Sequence, residues 1–198
     1  MADAPPPARG LRAALRAGLA AADAVALRMA LGSGALFLLV SFYITVDVLG
    51  RKFLGVSSAV TDEMGGYALA LGGVSALAYT LRTGGHVRID VLLPHLPRRV
   101  RVGLGYAALA VMALFAAVVA VYAWRLALDS YRTDARAMSF LRTPLVIPQA
   151  CLALGLSGLA LEALLMLAVG LVDSLAAGRL VELEDAPGPA APQPGERA

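Results

Sequence analysis

Residues 102–124 read VGLGYAALAVMALFAAVVAVYAW, 23 residues without a charged side chain. A helix rises 1.5 Å per residue, so this run reaches about 34 Å, enough to cross a hydrocarbon layer about 30 Å thick. Tyr122 and Trp124 close it as interfacial aromatics would. Three further runs meet the same condition: Met29–Val46, Met64–Leu81, and Thr143–Val172, the last carrying one internal acid, Glu162. The whole chain is 59% hydrophobic and 16% charged, well below the quarter of charged residues usual in soluble domains. A soluble all-helical bundle would need polar outer faces that these four segments lack.

The expectation is therefore an all-α, polytopic membrane protein with four transmembrane helices, spanning about 29–49, 64–81, 102–124 and 146–172. Residues 1–28 are expected to be a disordered N-terminus followed by a short amphipathic helix. In that helix Leu11, Leu15 and Leu19 share one face, and Arg9, Arg12 and Arg16 lie elsewhere on the wheel. Residues 29–172 form the membrane domain, and the Pro- and Gly-rich stretch 173–198 is a mostly disordered tail. The first run does not read as a removed signal peptide: 28 residues precede it, and Asp47, Arg51 and Lys52 follow it instead of a small-residue cleavage site.

Basic residues set the expected topology. The termini and the middle loop hold eleven (Arg9, Arg12, Arg16, Arg28, Arg82, Arg88, Arg98, Arg99, Arg101, Arg179, Arg197), against six elsewhere (Arg51, Lys52, Arg125, Arg132, Arg136, Arg142). The positive-inside rule then puts both termini in the cytoplasm. A net charge of +3 is too small and too scattered for nucleic-acid binding. Cys151 is the only cysteine, which excludes an intramolecular disulfide and a zinc-thiolate cluster.

Candidate functional residues sit at helix ends. Asp47 and Arg51 stand at i,i+4, spacing suited to an ion pair. Asp62 and Glu63 suit the positive end of the second span, whose Gly65, Gly66, Gly72 and Gly73 permit close helix approach. Pro148 is tolerable in a first helical turn, where amides lack intrahelical partners. Glu162 lies about 21 Å along the last helix from Pro148. It needs a partner, water or a proton there.

The segment RTGGHVRIDVLLPHLPRR, residues 82–99, holds both histidines. His86 and Asp90 would share a face in a helix, and His86, Arg88 and Asp90 in an extended strand. No serine or cysteine nucleophile lies nearby, the spacing matches no metalloenzyme motif, and the glycines lack the Lys and Ser/Thr of a phosphate loop. Two readings remain, structural anchoring of the two spans it joins and a turn that organises a partner contact: Gly84 and Gly85 allow a close turn, and Arg82, His86, Arg88 and Asp90 supply directional contacts. No catalytic residue, metal ligand or cofactor site is expected.

GGHVRIDVLLPHLPRRVR, preceded by DVLGRKFLG and TDEMGGYALALGG, resembles the small membrane subunit of tripartite ATP-independent periplasmic (TRAP) transporters, the DctQ-like family. The resemblance covers about Arg28 to Val172 and includes Ile147–Pro148 at the last span. By that resemblance Arg51, Glu63 with Asp62, Arg82, Gly84, His86, Arg88 and Asp90 occupy the family's motif positions. Ser57 to Thr61 stand where many members carry a tryptophan. The resemblance implies a non-catalytic small permease in a bacterial inner membrane, partnered by a large permease subunit, an extracytoplasmic solute-binding protein and membrane lipids. The transporter would be sodium-coupled and take organic anions. The alternative is a stand-alone four-helix membrane adaptor or scaffold.

Overall fold

A computed structural model describes residues 6–56, 58, 60–84, 96–178 and 180–181. Helices α1 (Pro6–Leu54), α2 (Thr61–Ser75), α3 (Leu77–Arg82), α4 (Arg98–Arg132) and α5 (Val146–Ala177) make up almost all of these residues. The four apolar runs fall on α1, on α2 with α3, on α4 and on α5, giving four helices long and apolar enough to cross a membrane.

α1 is one helix of 49 residues, about 73 Å long. The segment read from sequence as a separate amphipathic helix is its first third. The alanines and leucines between Leu11 and Arg28 are strong helix formers, and no proline interrupts them after Pro7. α2 and α3 are one span with a single-residue break at Ala76, just after Gly72 and Gly73, while the Thr80 amide still donates to Ala76 O at 3.0 Å. Left-handed glycines end three of these helices: Gly55 after α1, Gly84 after α3 and Gly178 after α5.

Packing centres on α5, which touches α1, α2, α3 and α4. Its main partner is α4. The buried positions of α4 are Val102, Tyr106, Leu109, Ala113, Ala116, Ala120, Ala123, Ala127 and Ser130. They alternate steps of four and three residues along the whole helix, the seven-residue repeat of a left-handed helix pair. Alanine fills the middle of this seam, and the facing Ala153, Ala160 and Ala163 of α5 are likewise buried. In lipid, where apolar burial itself provides little drive, such small contacts let two helices close up and gain dispersion along their length. Leu19 of α1 and Leu81 of α3 join this core from the side.

The small residues of α2 make part of the remaining contacts. A Cβ added at Gly155 of α5 would sit 2.9 Å from Val74 Cγ1 and 3.2 Å from Val74 O, so the two helices meet at glycine. Gly72 takes the Phe37 ring of α1 and a Cβ added at Gly65 would lie 3.5 Å from Ile44 Cδ1, whereas Gly66 and Gly73 face open space beside exposed Leu69. The glycine face is thus divided between internal packing and an outer surface.

The pairings also fix how the helices are offset. Trp124 donates to Ser157 Oγ at 3.1 Å, and Tyr106 bonds Ser174 Oγ at 3.0 Å, which sets the register of α4 on α5. The middle of the α4 apolar run then lies about 13 Å beyond that of α5, counted at 1.5 Å per residue. By the Val74–Gly155 contact, α2 is displaced the other way by about 8 Å. Bringing all of these apolar runs to one depth in a bilayer requires the helices to lean.

Ala116 and Ala163 are both fully buried in the α4–α5 seam. Replacing Ala116 by Leu would overpack it, at a cost of about 1–3 kcal/mol. Thermal unfolding of the detergent-solubilised chain is expected to show a lowered midpoint for Ala116→Leu and an unchanged one for Val111→Leu on the exposed face.

Candidate functional site: charged links between helices

Three ionisable side chains from three helices meet inside the bundle. Arg82, the last residue of α3, donates from Nε to Asp23 Oδ1 of α1 at 2.8 Å, with 6% of the arginine side chain exposed. Glu162 of α5 is 1% exposed and presents its carboxyl to Asp23, with Arg82 close by. One of its oxygens, Oε1, has no hydrogen-bond partner. Charges removed from water persist only when matched, so this meeting point holds α1, α3 and α5 in one arrangement. Two carboxyls share one guanidinium here.

A second link lies further along the same helix pair. Asp173 of α5 accepts from Arg12 Nη2 at 2.6 Å and Nε at 2.8 Å, and from Arg16 Nη2 at 2.9 Å. Arg12 is a forked donor on one carboxylate oxygen, and Arg16 takes the other. These arginines therefore bind the end of α5. Beyond them, Ser174 Oγ accepts the Val181 amide at 3.0 Å, and the Tyr106 hydroxyl donates to Val181 O at 3.2 Å.

The opposite end has its own polar joints. Asp47 Oδ2 accepts from Arg51 at 2.9 Å, the expected i,i+4 pair, and Oδ1 accepts the Ser58 amide at 2.6 Å, with Thr61 beside it. The Asp47 side chain is 5% exposed and Arg51 57%. Asp47 is therefore more a clamp on the chain leaving α1 than half of a surface pair. Glu63 Oε1 accepts the Tyr67 hydroxyl at 2.8 Å, and Ser139 and Thr143 of the α4–α5 connection lie next to it. Glu63 Oε2 and Ser139 Oγ are buried without a hydrogen bond.

Of the other residues singled out from sequence, Asp62 is exposed in the first turn of α2, and Pro148 lies in the first turn of α5. Gly84 adopts the left-handed turn that ends α3, with φ +70°. His86, Arg88 and Asp90 lie outside the described residues. Asp23 and Asp173 were not singled out, although each is an isolated acid in a long apolar helix, the signal that marked Glu162. Among the described residues, no three His, Cys, Asp or Glu side chains gather as a metal site. The chemistry of these carboxylates is ion pairing with arginines and acceptance of hydrogen bonds, within a helix at Asp47–Arg51 and Glu63–Tyr67 and between helices at Asp23 and Asp173.

In comparison with known proteins, the model of the DctQ component of tripartite ATP-independent periplasmic transporters matches residues 39–173. No curated protein and no solved structure matches.

Removing Arg82 takes away the guanidinium that faces these two carboxyls among the described residues. Arg82→Met is expected to cost about 3–5 kcal/mol, the usual penalty for orphaning a buried charge. Glu162→Gln keeps the shape of the side chain and should be far milder. Denaturation in detergent of the two variants and the parent chain measures the difference, and equal stabilities would remove Arg82 from this structural role.

Proposed function

The chain belongs to the DctQ component family of tripartite ATP-independent periplasmic transporters, and on that premise we propose that it is the small permease subunit of a sodium-coupled, solute-binding-protein-dependent transporter of organic anions. Its work there is mechanical. It forms a fixed wall in the inner membrane against which a larger permease subunit changes exposure, in the manner of rigid gating against a scaffold. An extracytoplasmic binding protein delivers the solute, and both termini face the cytoplasm, as the distribution of basic residues indicates.

The family match carries this reading, because it runs from the last third of α1 into the last turns of α5. Structural support comes from the placement of buried charge. Asp23, Arg82 and Glu162 join three helices, and Asp47 holds the turn between α1 and α2. Charges spent on fixing helices suit a subunit that stays still while its partner moves. Arg51 and Gly84 sit at helix ends, where they shape the surfaces offered to other chains, whereas Glu63 and Arg82 turn inward and hold helix ends in place. His86, Arg88 and Asp90 belong in this reading to a turn that organises the same contact. Glu162 acts as a structural tie within the subunit.

The decisive experiment co-expresses the chain with the large permease encoded beside its gene and measures solute uptake driven by an imposed sodium gradient. Uptake and a co-purifying complex are expected only when both chains are present. Unchanged uptake without this chain, together with no complex, rejects the proposal. In the same assay Glu162→Gln should preserve assembly and uptake, and Arg88→Glu should disrupt assembly.

A further inference from the structure

The connection between α4 and α5 is closed and shaped. Arg136 and Pro144 pair as an isolated antiparallel bridge. Around it the Ala137 amide donates to Thr143 O at 2.9 Å, Leu145 to Ala135 O at 3.0 Å, and Arg142 to Ser139 O at 3.3 Å. Asp134 and Arg142 both adopt φ +47°, a left-handed conformation that residues with a Cβ take up only when their surroundings hold them there. Folded this way, the loop turns apolar side chains outward: Met138 is 108% exposed, Phe140 79% and Leu141 44%.

Two observations say what this tip meets. The first is its position. The loop runs straight into the apolar run of α5 at Val146, and Ser139 lies against Glu63, one residue before the α2 run begins at Met64. It is therefore level with the place where two spans enter the hydrocarbon, and exposed Ile147 carries apolar surface onward into α5. The second is charge. Arg132 and Arg142 flank the tip, are exposed, and make no ion pair among the described residues, while Arg136 is held by Asp134 at 3.1 Å. An apolar tip between two cations at a bilayer boundary matches the layering of lipid, acyl chains below and phosphates above.

We propose that the 133–145 loop is a lipid anchor: Met138 and Phe140 insert at the top of the acyl chains, and Arg132 and Arg142 hold the phosphates of anionic headgroups. The anchor fixes the depth of the α4–α5 connection, and so how far this helix pair rides out of the bilayer. It rests on the membrane-spanning architecture and is independent of which solute the transporter carries.

The test places a polarity-sensitive fluorophore at the tip of the full-length chain. Cys151→Ala removes the native thiol, and Met138→Cys, Phe140→Cys or, as a control on the same loop, Asp134→Cys supplies a single one. Each labelled chain is reconstituted into vesicles of phosphatidylcholine with phosphatidylglycerol. Labels at 138 and 140 should emit to the blue of the label at 134. They should be quenched by a spin label near the top of the lipid acyl chain and be several-fold less sensitive to aqueous iodide. Arg132→Gln with Arg142→Gln should weaken that protection, and so should vesicles of phosphatidylcholine alone. Iodide access at 138 and 140 equal to that at 134 overturns the proposal. So does a tip that stays aqueous in vesicles and becomes protected only on adding the other transporter chains, which would mark it as a protein docking site.

Discussion

A charge buried in a membrane protein has to find its opposite within the protein. For this chain that requirement falls on Asp23, Arg82 and Glu162, contributed by three helices far apart in sequence. None can be left alone in a low-dielectric interior without a penalty of several kcal/mol, so α1, α3 and α5 are held in one relation. Other features follow from it. The α1–α5 contact continues along both helices to the Arg12 and Arg16 link with Asp173, and Leu19 lies in the core between the two links.

The α4–α5 seam works by a different principle. Alanine at position after position gives neither charge nor bulk, and its contribution is distance: two helices can approach until dispersion along many short contacts accumulates. The charged link selects which helices meet, whereas the alanine seam sets how closely they lie. Glycine at positions 72 and 155 does the same for α2. A subunit built in this way is stiff in its interior while its lipid-facing side chains remain free to suit their surroundings.

Much of this was legible in the residues. The four apolar runs, the Asp47–Arg51 spacing, the placement of Pro148 and the special character of Glu162 follow from helix rise, i,i+4 geometry and the cost of burying an acid. The continuity of α1 was not legible, because a charged, alanine-rich segment reads equally as a surface helix or as an extension packed on a neighbour. Tertiary pairing decided between them: Arg12 and Arg16 meet Asp173, more than 150 positions away. Asp23 escaped notice for a related reason. Its significance depends on Arg82 and Glu162 lying opposite, and no local pattern announces that. The α4–α5 connection shows the limit of composition, since Ser139 and Thr143 turn toward Glu63 and Arg136 pairs with Asp134, while the few apolar residues form a tip beside exposed Arg142.

The central helix of the bundle follows the other four in chain order. α5 is the element on which α1, α2, α3 and α4 all rest, so while the ribosome is still making α4 the earlier spans have no common support. During that interval Asp23 and Arg82 can neutralise each other, so that neither waits in lipid as an isolated charge. Glu162 then arrives with α5 as a final, separate addition. Biogenesis of this subunit is therefore a matter of late closure: α1 can pack on α2 and α3 first, and α5 then joins all four earlier helices in one bundle.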